Sequence, residues 1–151
     1  MSHSQFDLAL QLLEVIPAVM RTFAAELRRS GHLLNPTHFS VLIILAEGPC
    51  ILSDLAEQQA VSLPTMSNTI STLVERGWVQ RQRDTADRRK VWLALTPAGL
   101  AIMKEMSHHA QRRVNDLLIP LSETERQTLA AGLSVLHRLF DVSGNNAQIT
   151  T

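Results

Sequence analysis

Six basic side chains (Arg76, Arg81, Arg83, Arg88, Arg89 and Lys90) crowd into one short segment, opposed within it only by Asp84 and Asp87. The whole chain has a formal net charge of zero, so the segment's local net of +4 is a concentration of charge and not a bias of composition. Guanidinium groups gathered on one element suit a polyanion, and a phosphate backbone above all. Just upstream, Pro64, Thr65, Asn68, Ser71 and Thr72 fall on one side of a helix at 3.6-residue periodicity, with Ser67 on the border. Met66, Ile70, Leu73 and Val74 fall on the other side. A merely solvated face more often carries Glu–Lys pairs. Short hydroxyls and amides instead allow close approach to base edges, where Asn pairs with adenine and Ser or Thr with any base. Both features point to duplex DNA.

Other chemistries find less support. The lone Cys50 cannot form an internal disulfide; it reads as a small buried hydrophobe in a reducing, cytoplasmic protein. His108 and His109 are adjacent and point to different helix faces, while His32, His38 and His137 stand alone, so no metal site is expected. There is no glycine-rich phosphate loop, and Cys50 with His38 lacks an orienting third group, so neither an enzyme nor a cofactor is expected. No apolar run approaches the ~18 residues of a membrane span, and the N-terminus lacks the basic start of a signal peptide.

The elements that must carry these residues follow from caps and periodicity. Apolar residues at helical spacing predict a helix over 4–30, with Pro17 predicting a kink or two abutting helices. Its stripe is too wide for so small a core and calls for a partner subunit. Asn35-Pro36 opens a helix with Phe39, Leu42, Ile43 and Ala46 inward, which Gly48-Pro49 ends. Ser53 caps a short helix to about Gln59; Ala60-Val61-Ser62 is a turn, and Ser62 caps the polar-faced helix that Gly77 terminates. Period-two alternation at Val79 and at Val91, Leu93 and Leu95 predicts two strands covered by Trp78 and Trp92, with Asp84–Lys90 as the loop between them. Thr96-Pro97 starts a long helix to Leu118, with a near-heptad seam of Leu100, Met103, Ser107, Ala110, Val114 and Leu117. Ser122–Glu125 is a capping box for a last helix with Leu129, Leu133, Leu136 and Phe140 inward. The expected fold is mainly α with a small β-hairpin wing, a winged helix-turn-helix. Residues 35–99 form that unit, 1–34 and 100–141 the dimerisation helices, and 142–151 a flexible polar tail.

Taken together, these residues resemble the multiple-antibiotic-resistance regulator (MarR) family of bacterial transcription factors. The resemblance is carried by Asp87-Arg88-Arg89 followed by Leu93-Ala94-Leu95-Thr96-Pro97-Ala98-Gly99, and by Leu55-Ala56, Val61-Ser62, Leu73 and Gly77-Trp78-Val79. It implies a homodimer on a pseudo-palindromic operator, acting as a repressor released by a small aromatic or phenolic effector. It further implies that Arg89 enters the minor groove, that Asp87 orders the wing by pairing with an arginine such as Arg81, and that Arg88 and Lys90 serve phosphates. Helices bearing Met20, Arg21 and His38 would border the effector site, though no residue is assigned to it. Ala60 stands where the family often has glycine, and the N-terminal cysteine of peroxide-sensing members is missing. A thiol sensor, or a dimeric module that has lost DNA binding, are the alternatives.

Overall fold

In the computed structural model, which describes residues 4–140, five helices begin where a short polar side chain takes up a free backbone N–H. These are α1 (Gln5–Arg29, capped by Ser4), α2 (Pro36–Glu47, Asn35), α4 (Leu63–Glu75, Ser62), α5 (Pro97–Leu118, Thr96) and α6 (Glu123–Leu139, Ser122). The exception is α3 (Leu52–Gln58): it starts one residue before the expected cap, after Ile51, and no side chain caps it. The reason is that Cys50–Ile51 forms a short strand, β1, which the sequence pattern did not announce. β1 pairs antiparallel with β3 (Val91–Leu95), which pairs in turn with β2 (Val79–Arg83), giving the order β1-β3-β2. The expected hairpin is therefore part of a three-stranded sheet. Two residues are too few for a periodicity signal.

Helix α1 runs through Pro17 as one element, so of the two expectations there, a kink or two abutting helices, the second does not occur. It also contains an 18-residue window of mean hydropathy 1.5, long and apolar enough to cross a membrane by composition alone. The expectation that no segment qualified counted unbroken apolar runs; isolated polar residues such as Glu14 interrupt the run without lowering the mean enough.

The core draws on every element except α6. Leu27 and Leu34 meet Val41, Leu42 and Leu45 of α2, Leu55 of α3, Met66, Ile70 and Leu73 of α4, and Val79 and Leu93 of the sheet. Full burial of such side chains contributes roughly 1.5–3 kcal/mol each. On α2, Val41 and Leu45 are buried, while the expected Ile43 and Ala46 are only half-buried. On α5 the buried residues are Gly99, Ile102, Met103 and Met106; of the expected seam Met103 is buried, Leu100, Ser107 and Ala110 are half-buried, and Val114 and Leu117 are exposed. The first turns of α5 lie against α2 and the core, whereas the far end of the seam is left uncovered among the described residues. For the same reason Leu129, Leu133 and Phe140, expected inward, are exposed, and α6 buries no residue. The expected tail at 142–151 lies outside the described residues.

Two connections need unusual backbone. Gly77 (φ +75°) ends α4 in a Schellman arrangement, with Gly77 N–H donating to Val74 O and Trp78 N–H to Leu73 O. Ala60, in the turn between α3 and α4, also adopts the left-handed conformation (φ +52°), which glycine would enter without strain.

Gly99 fits for a different reason, namely space: a Cβ there would collide with the Trp78 carbonyl and lie 2.8 Å from Leu95 Cδ1. Gly99→Ala should therefore cost about 1–3 kcal/mol of unfolding free energy. A denaturation midpoint equal to that of the parent protein would show that the α4–β2 junction yields freely.

Candidate nucleic-acid interface

Helix α4 is held from beneath by Met66, Ile70 and Leu73, which leaves Pro64, Thr65 and Asn68 exposed and Ser67, Ser71 and Thr72 half-buried. The hydroxyls of this face are not all equally available. Thr65 Oγ1 lies 2.8 Å from Ser62 Oγ, and Thr72 Oγ1 donates to Asn68 O at 3.3 Å. A hydroxyl that donates to its own helix keeps its lone pairs, so it presents an acceptor to solvent. Ser71 is more fully occupied: its hydroxyl donates to Ser67 O (2.9 Å) and accepts from Arg81 Nη2 (3.1 Å).

Arg81 was expected to pair with Asp87, and it does not. Its Nη2 donates to Ser67 O at 2.7 Å, bracing β2 against α4. The two-residue period of a strand explains this. Arg81 shares a face with Val79, which is buried against the core, so its side chain is directed to α4 and not along the hairpin to its loop. Arg83, two residues on, lines the same small cleft with Arg81, Ser67, Leu52 and Val91.

The wing loop has its own organiser, one the sequence reading passed over. Asp84 accepts from Ala86 N–H, Asp87 N–H and the Trp92 indole Nε1, each at 2.8 Å. Asp84 N–H donates to Lys90 O, which closes the loop's base. An Asp accepting from the backbone two and three residues on is a recognised turn device, and that was the available signal. Asp87, expected to order the wing, does so locally: its Oδ1 accepts from Arg89 N–H (3.1 Å) and Arg89 Nε (3.3 Å). Arg89 itself is 93% exposed. Arg83, Arg88 and Lys90 are also exposed. Arg76, by contrast, is engaged within the protein: its Nη1 donates to His32 O (2.8 Å) and Leu33 O (3.1 Å), and its guanidinium lies 5.1 Å from the centroid of the Trp78 ring.

The fold thus places a polar helix face and a charged, internally ordered β-loop side by side, with Arg81 tying the two. A helix suited to the major groove and an adjacent basic loop make a DNA-binding surface. The MarR family profile matches residues 34–91. The chain belongs to the MarR family. It is similar to the HTH-type transcriptional regulator YwhA of Bacillus subtilis, itself uncharacterized, at 26% identity over 70% of this chain and 76% of YwhA. Among solved structures it is similar to a "probable transcriptional regulator" from Pseudomonas aeruginosa: 31% identity, 81% of this chain and 93% of the other, TM-score 0.64. It is also similar to BpsR of Bordetella bronchiseptica: 27% identity, 83% and 98% coverage, TM-score 0.64. This MarR-family chain is a winged-helix, DNA-binding transcriptional regulator.

The remaining reactive groups fit that role. Burial, and secondarily the charge of Asp54, pushes the Cys50 thiol up, so at neutral pH it is protonated and poorly nucleophilic. Burial and the nearby Arg76 lower the pKa of His38, whose Nδ1 is buried without a hydrogen-bond partner. His32, expected to be isolated, lies 3.3 Å from Oε1 of Glu105 on α5, and His109 lies 3.9 Å from the same oxygen. Among the described residues, no group of three or more His, Cys, Asp and Glu is placed to hold a metal ion.

The Asp84 carboxyl is held below the usual carboxylate range, first by the Trp92 indole and then by the Asp87 and Ala86 N–H groups. A folded-state pKa lowered in this way means that the ionised form orders the wing. That ordering should survive acidification through the ordinary Asp value of about 4 and fail only below it. The amide resonances of Ala86 and Asp87 should report a midpoint under that value, and Asp84→Asn should abolish the transition. A midpoint at or above the ordinary value would mean that the clasp is not formed in solution.

Proposed function

We propose that the protein is a homodimeric repressor that grips a pseudo-palindromic operator and lets go when a small aromatic or phenolic effector binds. The observation that carries the dimer is the distribution of exposed apolar side chains. The core between Leu27 and Met106 is covered. Phe6, Leu13, Val15 and Val19 of α1, Val114 and Leu117 of α5, and Leu133 and Leu139 of α6 are not. Helices α1 and α6 flank an apolar cleft of about 510 Å³ lined by Leu12, Val15, Leu129 and Leu136 among others. An apolar surface spread over three helices is larger than monomers usually tolerate, and a second copy would cover it with matching helices. This face also offers a use for the apolar α1 other than a bilayer. On this reading 1–34 and 100–141 are the dimerisation helices and 35–99 the DNA-binding unit.

A two-fold dimer would offer two copies of α4 to half-sites ~34–36 Å apart. Thr65, Asn68 and Thr72 would read base edges in the major groove, and Pro64 would pack against backbone or a thymine methyl. Ser67 and Ser71, engaged by Arg81, would present the helix more than read bases. Arg89, nearly free of the protein surface, would enter the minor groove, while Arg83, Arg88 and Lys90 would meet phosphates. Effector release draws support from BpsR, whose DNA binding is regulated by 6-hydroxynicotinic acid. A ligand need only bind better to a conformer whose wings are mis-spaced for the grooves. Repression of genes on bacterial DNA would place the protein in the cytoplasm.

Light scattering should give a mass near twice 16.8 kDa, and Leu133→Glu should shift it toward one copy. Arg89→Ala should cost ~1–3 kcal/mol of affinity for the preferred duplex, whereas Asn68→Ala should relax base preference at one position in each half-site. A monomeric parent protein, or an Arg89→Ala variant of undiminished affinity, would remove the dimer or the minor-groove contact respectively.

A further inference from the structure

Arg76 is the one cation of the basic segment that the structure commits to the turn between α1 and α2. Its Nη1 takes two successive carbonyls of that turn, His32 O and Leu33 O, and its plane rests near Trp78 at the start of the wing. The turn is also unusual. Leu33 sits at φ +53°, a conformation unfavourable for a branched aliphatic residue, which persists where surrounding contacts hold it. The two hydrogen bonds from Arg76 are such contacts. At its other side the turn is tied to α5, because His32 Nε2 lies 3.3 Å from Glu105 Oε1. The chain of contacts runs from the C-terminal end of α4, through Arg76, to a strained turn, and through His32 to α5. The apolar face of α4 fixes how the helix sits on its own lobe, Thr96 joins the residues just after it to the start of α5, and this lateral tie holds its last turn to the α1–α2 turn.

We infer that Arg76 is a positioning residue: by clasping the α1–α2 turn it sets the angle between α4 and the helices α1 and α5, and so the separation at which two recognition helices are presented. The inference rests on the dimeric reading above. It assigns Arg76 no contact with DNA, and it makes half-site spacing, not base preference, the property that Arg76 controls. Arg76→Ala would keep the polar face of α4 and the wing cations, and lose the restraint on their placement.

The test begins with duplexes selected by the parent protein from a random pool. Affinity is then measured for the selected duplex, for versions with the half-sites moved by one or two base pairs, and for a single half-site. Arg76→Ala should bind the single half-site as the parent does, lose roughly tenfold on the selected spacing, and discriminate little between spacings. The slope of affinity against salt should be unchanged, since loss of a phosphate contact would reduce it by about one. Arg76→Lys keeps the charge but not the planar guanidinium that reaches both carbonyls from Nη1 while lying near the Trp78 ring; it should show the same relaxed spacing in milder form, and it serves as the deciding variant if Arg76→Ala does not fold. A reduced salt slope would overturn the inference in favour of direct phosphate binding. Equal losses on the single half-site and the full duplex would overturn it in favour of a role in stability alone. A parent protein that selects no spaced pair of half-sites would instead overturn the dimeric reading, before any variant is compared.

Discussion

Thr96 holds the end of α4 with both its backbone and its side chain: its hydroxyl donates to Gly77 O at 2.6 Å and its N–H to Trp78 O at 3.0 Å. The same hydroxyl accepts from Gly99 N–H and so caps α5. One residue thereby joins the C-terminus of the recognition helix, the last pair of the β2–β3 ladder and the first turn of α5. Gly99 lets the three approach closely, and Gly77 lets α4 end at that point. A winged helix is useful only if wing and helix keep a fixed relation. Here the relation is set by backbone groups that would be costly to leave unpaired in a partly buried site. The Leu-x-Leu-Thr-x-x-Gly pattern is the sequence trace of this junction.

From that fixed point the surface divides by electrostatics. Arg81 and Arg76 serve the protein, bracing the wing to α4 and α4 to the α1–α2 turn. Arg83, Arg88, Arg89 and Lys90 face solvent. Repulsion among those four would loosen the hairpin, and two carboxylates offset it: Asp84 by gathering the loop N–H groups and the Trp92 indole, Asp87 by holding Arg89. The acidic residues of the wing therefore organise its shape more than they dilute its charge. Such pre-organisation lowers the ordering cost of meeting a phosphate backbone.

Much of this was legible in the residues because the devices are local. Ser4, Asn35, Ser62, Thr96 and Ser122 cap helices by contacting the backbone three residues on, so the cap and its target lie within one turn of sequence. The polar face of α4 follows from its periodicity for the same reason. β1 escaped because two residues carry no period. The stripe of α5 was right only toward its start, because a stripe shows that a helix packs, not which neighbour it packs against. For Asp84 the turn contacts were legible locally, whereas its indole partner, eight residues away on the next strand, was not.

By itself the sequence determined where the five side-chain-capped helices start, which side of α4 is polar, and that positive charge gathers between two strands; each depends on neighbours within about a turn. Tertiary structure alone decided which of those charges remain free. Arg76 and Arg81 are chemically the same as Arg83 and Arg89, and no local pattern separates them. What separates them is that carbonyls and hydroxyls distant in the chain, at His32, Leu33, Ser67 and Ser71, are brought within hydrogen-bond reach by the packing of α4 against its neighbours.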